Sequence, residues 1–359
     1  MAARTIASGC GVSFLSLAAL VSAAALLSMP CESLAAEVHN TGAISVHRAT
    51  TERLERRRAV KAGRLQVPLP NTPDTTRVLT RLAIAGLQLG APVMLRVFKA
   101  ESELEVWVQK DGAYVPFAVY PICYWSGKIG PKLREGDRQA PEGFYTITAG
   151  QLHHGGRWRR SLDIGYPNVF DRVNGRTGSL ILVHGGCDSV GCFAMTDAVN
   201  AELYDLVSAA LRRGQEHVPV HVFPFRMTDA NVAAHSNGAW KDFWADLKLG
   251  YDAFERTRRA PHVTVCGHRY RIADGKVGGA GEEVALCEAD LERYGSVMAA
   301  ARAATKGALP PEEETAAKQQ AIPCSMALPS CRRWVALRDR MTANGTVAVK
   351  QSGGRSRVR

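Results

Sequence analysis

The sequence predicts an α+β fold, and three patterns of apolar residues predict it. Short segments rich in branched and aromatic residues cover residues 93–98, 103–109 and 114–120 and are separated by turn residues, which is typical of strands. Two longer segments, 197–213 and 240–254, place apolar residues on one helical face. The continuous apolar run 180–183 is typical of a buried strand. Hydrophobic residues make up 46% of the 359 positions, enough for a sizeable core.

The formal net charge of +11 does not by itself indicate a nucleic-acid partner. The positive charge is spread along the chain, and no nucleic-acid-binding motif accompanies it. An anionic envelope polymer or a membrane surface suits this charge better, and a solvated basic surface is an equally simple explanation. We therefore predict no nucleic-acid partner.

The first 36 residues have the features of a secretory signal. Arg4 supplies a positive charge, residues 12–27 are apolar, and the small residues at 33–36 offer a cleavage site. An uncleaved membrane anchor is the alternative, although the apolar run is short for one. Pro30 argues against lipid modification of Cys31, because such sites have small residues there. No later segment is apolar for long enough to span a membrane, so we expect an exported, periplasmic protein.

Residues 37–88 predict a basic N-terminal extension that ends in a linker. Arginine, lysine and glutamate dominate residues 51–66, which predicts an exposed charged helix. We expect this helix to be a solvated spacer, with contact to the envelope as the alternative. Three prolines between residues 67 and 76 indicate the linker, and residues 77–88 predict a short amphipathic helix.

Two polar segments precede the central motif. Residues 126–139 predict a long loop, and its cations suit either a carboxylate-rich substrate or a solvated surface. These cations are Lys128, Lys132, Arg134 and Arg138. Residues 150–179 contain Tyr166 and Arg172, which we predict as substrate contacts, with a structural role as the alternative for each.

The segment 180–195 is where we expect the chemistry. Its apolar strand delivers His184 into a glycine-rich loop, and a helix is predicted to begin at residue 196 or 197. The thiolate is the nucleophilic form of cysteine, and both a base and a nearby helix N-terminus favour it. We therefore predict Cys192 as the nucleophile and His184 as its base. The remaining candidates in this loop are Gly185, Gly186, Ser189 and Gly191.

Three alternatives to catalysis fit the same spacing. Cys187 and Cys192 could form a disulfide. His184 and the two cysteines could be three ligands of a zinc site. Both cysteines could also be small packed residues. The spacing alone leaves these alternatives open.

The cysteine count bears on this choice. Signal cleavage would remove Cys10 and Cys31 and leave seven cysteines, and an odd number in an oxidising compartment predicts one free thiol. Cys192 fits as that thiol. The pairs that we expect among the others are Cys324 with Cys331, Cys266 with Cys287, and Cys123 with Cys187, although Cys123 and Cys187 could instead be unpaired core residues.

The central motif also resembles that of a known family. His184 followed by residues 189–192, Ser-Val-Gly-Cys, resembles the signature of the YkuD-type L,D-transpeptidases, a histidine followed by Ser-x-Gly-Cys. Val190 stands where that family usually has histidine, and Ala194 stands where many members have arginine. Only seven residues separate His184 from Cys192, fewer than in many members. Six further blocks resemble the YafK-like branch and extend the resemblance over residues 88–262: 122–127, 130–132, 136–137, 141–145, 164–168 and 224–231.

The resemblance implies a YkuD-like mixed β-sandwich core with flanking helices over residues 89–262. The basic N-terminal extension precedes it, and a Cys-containing C-terminal extension, residues 263–359, follows and is expected to be partly disordered. Residues 263–272 predict one more hairpin in that extension. The aromatic face of the 240–254 helix is expected to be core, with sugar stacking as the alternative.

The resemblance also implies peptidoglycan stem peptides as partners, with 2,6-diaminopimelate at the third position. Cys192 would attack the carbonyl at the L-centre of that residue and form a thioester, with no metal or cofactor. Backbone N–H groups around Gly191 and Cys192, or those of the Gly185–Gly186 turn, would stabilise the oxyanion, and Ser189 belongs to the same catalytic loop. The predicted substrate-binding residues are Gly185, Gly186, Tyr166, Arg172 and Lys132.

Three functions follow from these implications. Transfer to an amine gives 3-3 crosslinks or attaches a protein to the cell wall. Transfer to water makes the protein an L,D-hydrolase that releases a wall-attached peptide or outer-membrane protein. The third function is not enzymatic: an envelope-binding protein whose loop cysteines form a disulfide.

Overall fold

The structure, a computed structural model, describes residues 44–155, 159–292 and 294–295. The predicted signal sequence, the Cys324–Cys331 pair and the tail of the C-terminal extension lie outside the described residues. The helices of the described part are α1 Val46–Lys61, α2 Val78–Ile84, α3 Val169–Val173, α4 Asp197–Arg212, α5 Asp229–Ala234 and α6 Lys241–Thr257. None of them is both long and apolar enough to cross a bilayer.

The strands of the described part form three sheets. Those of the first half are β1 Val93–Phe98, β2 Glu103–Lys110, β3 Ala113–Pro121, β4 Tyr124–Trp125, β5 Gly143–Ile147, β6 Leu152–His153 and β7 Ser161–Asp163. Those of the second half are β8 Leu182–His184, β9 Phe193–Ala194, β10 Val218–Phe223, β11 His262–Cys266, β12 Arg269–Ala273 and β13 Ala285–Leu286. Helices flank these sheets, so the predicted α+β class is confirmed.

The first sheet has the strand order β3-β2-β1-β10-β5. Strands β1 and β10 are parallel, and the other neighbours are antiparallel. In β2 the apolar residues Leu104, Val106 and Val108 alternate with Glu105 and Trp107, and all three lie in the main core. This is the arrangement that the period-2 pattern predicts, because successive side chains point to opposite faces of a strand.

The second sheet, β4-β9-β8-β7-β6, shares that core with the first sheet. Helix α4 contributes one apolar face to the core, and its side chains there include Val199, Leu203 and Val207. The helix begins where the sequence predicts, because the Thr196 hydroxyl accepts a hydrogen bond from the Val199 N–H. Its N-terminus therefore lies directly after strand β9, close to the candidate loop.

A second core lies on the other face of the first sheet. Phe98, Phe144 and Phe223 point to this side and pack against helix α6 and the third sheet, β12-β11-β13. The aromatic residues Phe243, Trp244 and Phe254 of α6 are buried, which confirms that this helix face is core. The predicted hairpin over residues 263–272 is also confirmed, by the antiparallel pair β11 and β12.

The N-terminal segment differs from the predicted solvated spacer. Helix α1 ends at Lys61, several residues before the predicted end, and buries Arg53 to 3% exposure. Leu82 of α2 and Leu87 after it belong to the main core, so residues 77–88 pack on the domain. The prediction failed because charge periodicity identifies a charged helix but does not show whether its cations meet water or backbone carbonyls.

Candidate active site

Two parallel strands of the second sheet carry the predicted reactive side chains. His184 is the last residue of β8, and Cys192 directly precedes β9. The register places Val183 opposite Phe193 and His184 opposite Ala194. The end of β8 and the start of β9 are therefore neighbours, which brings His184 and Cys192 to the same region of the second sheet.

The Cys192 thiol is free and partly buried. Its Sγ accepts a hydrogen bond from the Leu182 N–H over 3.3 Å and lies 3.6 Å from the Leu180 carbonyl oxygen. Burial raises the pKa of the thiol to about 11, and the Asp163 carboxylate adds to the rise. The Leu182 N–H and the Lys132 ammonium partly oppose it. The resting thiol is therefore protonated at neutral pH.

The imidazole of His184 is buried beside the start of the loop. Its Nδ1 lies 2.6 Å from the Gly185 carbonyl oxygen. A carbonyl can only accept, so this contact places a proton on Nδ1 and leaves Nε2 as the proton acceptor of the neutral ring. Burial lowers the pKa of His184, while the Gly185 carbonyl and the carboxylates of Asp188 and Asp197 partly offset that effect. The ring is thus neutral and able to take a proton.

The Ser189 hydroxyl holds the end of the loop in shape. Ser189 Oγ accepts a hydrogen bond from the Gly191 N–H over 3.1 Å and donates one to the Cys192 carbonyl over 2.7 Å. Gly191 has a φ of +142°, a backbone conformation that L-residues with a side chain rarely adopt. Ser189 and Gly191 therefore shape the backbone that presents the thiol.

The two glycines after His184 meet different backbone requirements. A Cβ on Gly185 would lie 2.3 Å from Asp197 Oδ1, so the loop packs closely on the start of α4. Gly186 has a φ of +90°, and a Cβ there would meet no atom within 4 Å. Their contact with substrate remains a prediction.

The pairing of Cys187 decides between the alternatives for the loop. Cys187 forms a disulfide with Cys123, and Cys266 forms one with Cys287, which are two of the three expected pairs. A Cys187–Cys192 disulfide is therefore excluded in this structure, and so is a zinc site that needs Cys187 as a thiolate ligand. The one cluster of potential metal ligands in the described residues also contains a disulfide pair: Cys266, Cys287 and Asp290.

Lys132 and Tyr166 lie near the site but are buried and already have partners. Lys132 Nζ donates to Asp137 Oδ1 over 2.6 Å and to the Arg134 carbonyl over 2.9 Å. The Tyr166 hydroxyl lies 3.3 Å from the Lys132 carbonyl oxygen and 3.2 Å from that of Thr177. These contacts explain both residues as supports of the 126–139 loop, the structural alternative considered for Tyr166.

Arg172 lies in α3, half-buried, on a different side of the domain. Burial lowers the pKa of Arg172, and the carboxylates of Asp171 and Glu283 oppose this. Glu283 lies two residues before β13 of the third sheet. The structure thus brings the loop residues together, and the charge of Lys132 acts on the Cys192 thiol. Arg172 instead lies near Glu283, on the side of the third sheet.

Two carboxylates of this region were given no role from the sequence. Asp163 ends β7 and pairs in register with Leu182, the residue whose N–H contacts Cys192. Asp137 fixes the turn that holds Lys132. Asp137 lies in the resembling block 136–137 but was given no role there, and β7 has only three residues, so no periodic signal identifies Asp163.

Comparison with known proteins places these features in a family. The YkuD profile, described as an L,D-transpeptidase catalytic domain, matches residues 94–222. Proteins of Escherichia coli strain K12 and of Escherichia coli O157:H7, each named "Putative L,D-transpeptidase YafK", are 43% identical over 185 residues. That match covers 52% of this chain and 75% of each relative.

Solved structures also match part of the chain. The helical cell shape determining protein Pgp2 of Campylobacter jejuni is 20% identical with a TM-score of 0.29, over 51% of this chain and 66% of that one. Bd1075 of Bdellovibrio bacteriovorus is 21% identical with a TM-score of 0.27, over 46% of this chain and 62% of that one.

The identity to the two Escherichia coli proteins, which spans three quarters of their length, decides the family. The matched profile also contains the strands that carry His184 and Cys192. The chain is a member of the YkuD-type L,D-transpeptidase family, in its YafK-like branch.

Proposed function

We propose that this protein is a periplasmic peptidoglycan L,D-transpeptidase that uses Cys192 as a covalent nucleophile. The observation that carries the proposal is the state of the loop cysteines. Cys187 is paired with Cys123, so Cys192 keeps a free thiol directly before β9, the strand that pairs with His184 of β8. A thiol beside a neutral imidazole is the arrangement that cysteine acyl transfer requires.

Proton transfer and attack are coupled in this proposal. The pKa of Cys192 is raised by burial and that of His184 is lowered by burial, so both groups are neutral at rest. As the sulfur attacks the carbonyl carbon at the L-centre of diaminopimelate, His184 takes the thiol proton. The tetrahedral intermediate then expels the amine attached to that carbonyl, and the imidazolium returns the proton to it. A Cys192 thioester remains.

One of the predicted oxyanion donors already has a hydrogen-bond partner. The Gly191 N–H already donates to Ser189 Oγ. We assign the donor role to the Cys192 N–H and to the N–H groups of the Gly185–Gly186 turn, with Gly191 supplying the backbone angle. Each such donor contributes about two to three orders of magnitude in rate where it has been removed.

The loop of residues 126–139 is the proposed binding surface for the stem peptide. The Gln139 carbonyl would lie 3.9 Å from a Cβ on Gly191, so this loop borders the catalytic one. Lys132 is used internally, but Lys128, Arg134 and Arg138 are exposed. Stem peptides carry carboxylates, which such cations bind through charge-assisted hydrogen bonds.

The acceptor decides the product. An amine of a second stem peptide gives a 3-3 crosslink, an amine of a protein attaches that protein to the wall, and water gives net hydrolysis. In each case the acceptor attacks the thioester carbonyl, Cys192 leaves as the thiol, and its proton comes from the acceptor.

Muropeptide analysis tests the proposal. Purified mature protein is incubated with cell-wall sacculi rich in tetrapeptide stems, the product is digested with a muramidase, and the fragments are identified by mass spectrometry. New 3-3 dimers with release of D-alanine are expected from the wild type and not from Cys192→Ala. Loss of an attached peptide or protein without new dimers would show hydrolysis instead.

A second measurement addresses the non-enzymatic function. We expect Cys192 to be the reactive thiol of the folded protein, so alkylation followed by peptide mapping should label residue 192 in the wild type. An unlabelled Cys192, together with unchanged muropeptides, would overturn the enzyme proposal.

A further inference from the structure

Helix α1 lies outside the matched profile and contacts both sides of the catalytic loop. Arg53, Arg56 and Arg57 are spaced to share one face of the helix. All three are at least half-buried, whereas Arg58 of the same turn is exposed. The basic residues of this helix therefore divide into a docked set and a solvated set.

Arg53 and Arg56 fix the helix on the segment that contains β4. Arg53 donates to the carbonyl oxygens of Trp125 over 2.5 Å and Gly127 over 3.0 Å, and its guanidinium lies 3.6 Å from the centre of the Trp125 ring. Arg56 donates to the Ile122 carbonyl over 2.9 Å. These contacts hold the helix in place independently of Arg57.

Arg57 contacts both the loop that contains Asp188 and strand β4. Its Nε lies 3.2 Å from Asp188 Oδ1, and Asp188 is in the loop between His184 and Cys192. Its Nη1 donates to the Tyr124 hydroxyl over 3.1 Å, and its guanidinium lies 4.7 Å from the centre of that ring.

Tyr124 completes the connection to the nucleophile. It is in β4, where it pairs with Ala194 of β9, two residues after Cys192. One guanidinium thus connects the middle of the loop to β4, which pairs with the strand that follows the loop. Arginine suits this task, because its planar fork can bind a carboxylate and a hydroxyl while it stacks on an aromatic ring.

The neighbouring disulfide makes this connection more rigid. Cys187, next to Asp188, is bonded to Cys123, next to Tyr124. Leu69, together with the partly buried Val60 and Leu65, packs on this disulfide. A movement of Asp188 away from Arg57 therefore has to distort a packed, cross-linked region.

We propose that Arg57 is a positioning residue that sets the catalytic loop through Asp188, which makes α1 part of the active-site architecture. The expected effect of Arg57 on turnover rests on the proposed function. Its expected effect on the Cys192 thiol can be measured without a substrate. The Asp188 carboxylate also acts on the His184 ring, so a displaced loop changes both the geometry and the electrostatics of the base. A small displacement of a reacting group is enough to reduce rate by up to about 100-fold.

The test compares Arg57→Ala with Arg58→Ala in the full chain. Arg58 is the matched control, since it has the same chemistry one residue along the same helix and is exposed. We expect Arg57→Ala to slow alkylation of Cys192 by iodoacetamide about 10-fold, and to lower kcat by a similar factor while KM stays within about two-fold. Arg58→Ala should match the wild type in all three quantities.

Two further measurements separate positioning from general stability. The thermal unfolding midpoints of both variants should stay close to that of the wild type, because the ion pair is partly exposed and adds little to stability. The double variant Arg57→Ala/Asp188→Asn should be no slower in alkylation than the slower single variant, since both changes break one connection.

The outcomes decide between three explanations. An unchanged alkylation rate in Arg57→Ala overturns the inference. A slower rate also overturns it if the unfolding midpoint of that variant is lowered. If the reductions in alkylation rate from Arg57→Ala and Asp188→Asn add up in the double variant, Arg57 does not act through Asp188. If the variants show the expected alkylation rates but the wild type does not turn over sacculi, the proposed function is contradicted. The positioning role of Arg57 is then still supported.

Discussion

The Ser189 hydroxyl donates a hydrogen bond to the Cys192 carbonyl over 2.7 Å while it accepts one from the Gly191 N–H over 3.1 Å. One buried side chain thereby connects the peptide group before Gly191 to the peptide group that follows the predicted nucleophile. Ser189→Ala leaves a buried N–H and a buried carbonyl without this partner. We expect a loss of about 1–3 kcal/mol in the free energy of unfolding, measured by urea denaturation.

The same variant should lose activity out of proportion to its stability. We expect the rate of acyl transfer at a temperature where the variant is folded to fall at least about 10-fold, since the thiol loses its backbone support. Val190→Ala is the control, because Val190 is in the same loop and 63% exposed. Equal behaviour of the two variants would show that the hydroxyl has no special role.

The pH dependence of Cys192 alkylation tests the electrostatics of the site. With the pKa of Cys192 raised to about 11, roughly one thiol in ten thousand is ionised at pH 7 in the resting protein. The alkylation rate should therefore keep rising with pH until it levels off near that value. A plateau below about pH 8 would mean that the site stabilises a resting thiolate.

The Asp163 carboxylate should contribute to that high pKa. A negative charge disfavours the thiolate, so Asp163→Asn is expected to lower the midpoint of the alkylation profile and to speed alkylation at neutral pH. Asparagine keeps the oxygen that accepts the Gly165 N–H. Asp229→Asn serves as the control, because that carboxylate is 95% exposed and lies at the start of α5, and it should leave the profile unchanged.

Periodic apolar residues made much of the fold predictable. The strands β1, β2 and β10 and the helices α4 and α6 are long enough for a period of 2 or 3.6 residues to appear in the sequence. The strands β4, β6 and β9 have two residues each, so they carry no period and were missed. Yet β4 and β9 frame the loop, and their positions come from tertiary pairing alone.

The predicted strand at 180–183 shows the limit of such patterns. The structure starts β8 at Leu182, because Leu180 has a φ of +51° and is 49% exposed. An apolar run fixes the approximate place of a strand but not the turn before it. His184 and Cys192 were predicted from their chemistry and from the family resemblance, whereas Arg57 and Asp163 reach this region only through folding of distant segments.

The buried pair of Lys132 and Asp137 predicts a stability effect where the sequence predicted substrate binding. Lys132→Ala should lower the free energy of unfolding by about 3 kcal/mol, because it leaves a partly buried carboxylate without its cation. Lys128→Ala removes an exposed cation of the same loop and should change stability by no more than about 0.5 kcal/mol. A Lys132→Ala variant of normal stability but raised KM would restore the substrate-binding role.

The same pair predicts a loss of stability in acid. Burial alone would raise the pKa of Asp137, but hydrogen bonds from Lys132 and three backbone N–H groups outweigh it and hold the pKa below the usual 3.8. A carboxyl with a depressed folded-state pKa adds stability above its unfolded value, and this is lost as pH falls through the folded value. The difference in unfolding free energy between wild type and Lys132→Ala should therefore be constant above about pH 5 and shrink below the usual carboxyl pKa.

The two disulfides should differ in function, although both stabilise the chain. Cys123–Cys187 spans 64 residues and Cys266–Cys287 spans 21, and chain entropy predicts contributions of roughly 4 and roughly 3 kcal/mol to the free energy of unfolding. Replacing either pair with serine should lower the thermal midpoint by a similar amount. Only Cys123→Ser/Cys187→Ser should also slow alkylation of Cys192 under conditions where both variants are folded, because Cys187 lies inside the catalytic loop and the other pair joins β11 to the segment after β13. Equal alkylation rates in the two double variants would mean that hydrogen bonds alone, chiefly those of Ser189, hold the loop in its reactive shape.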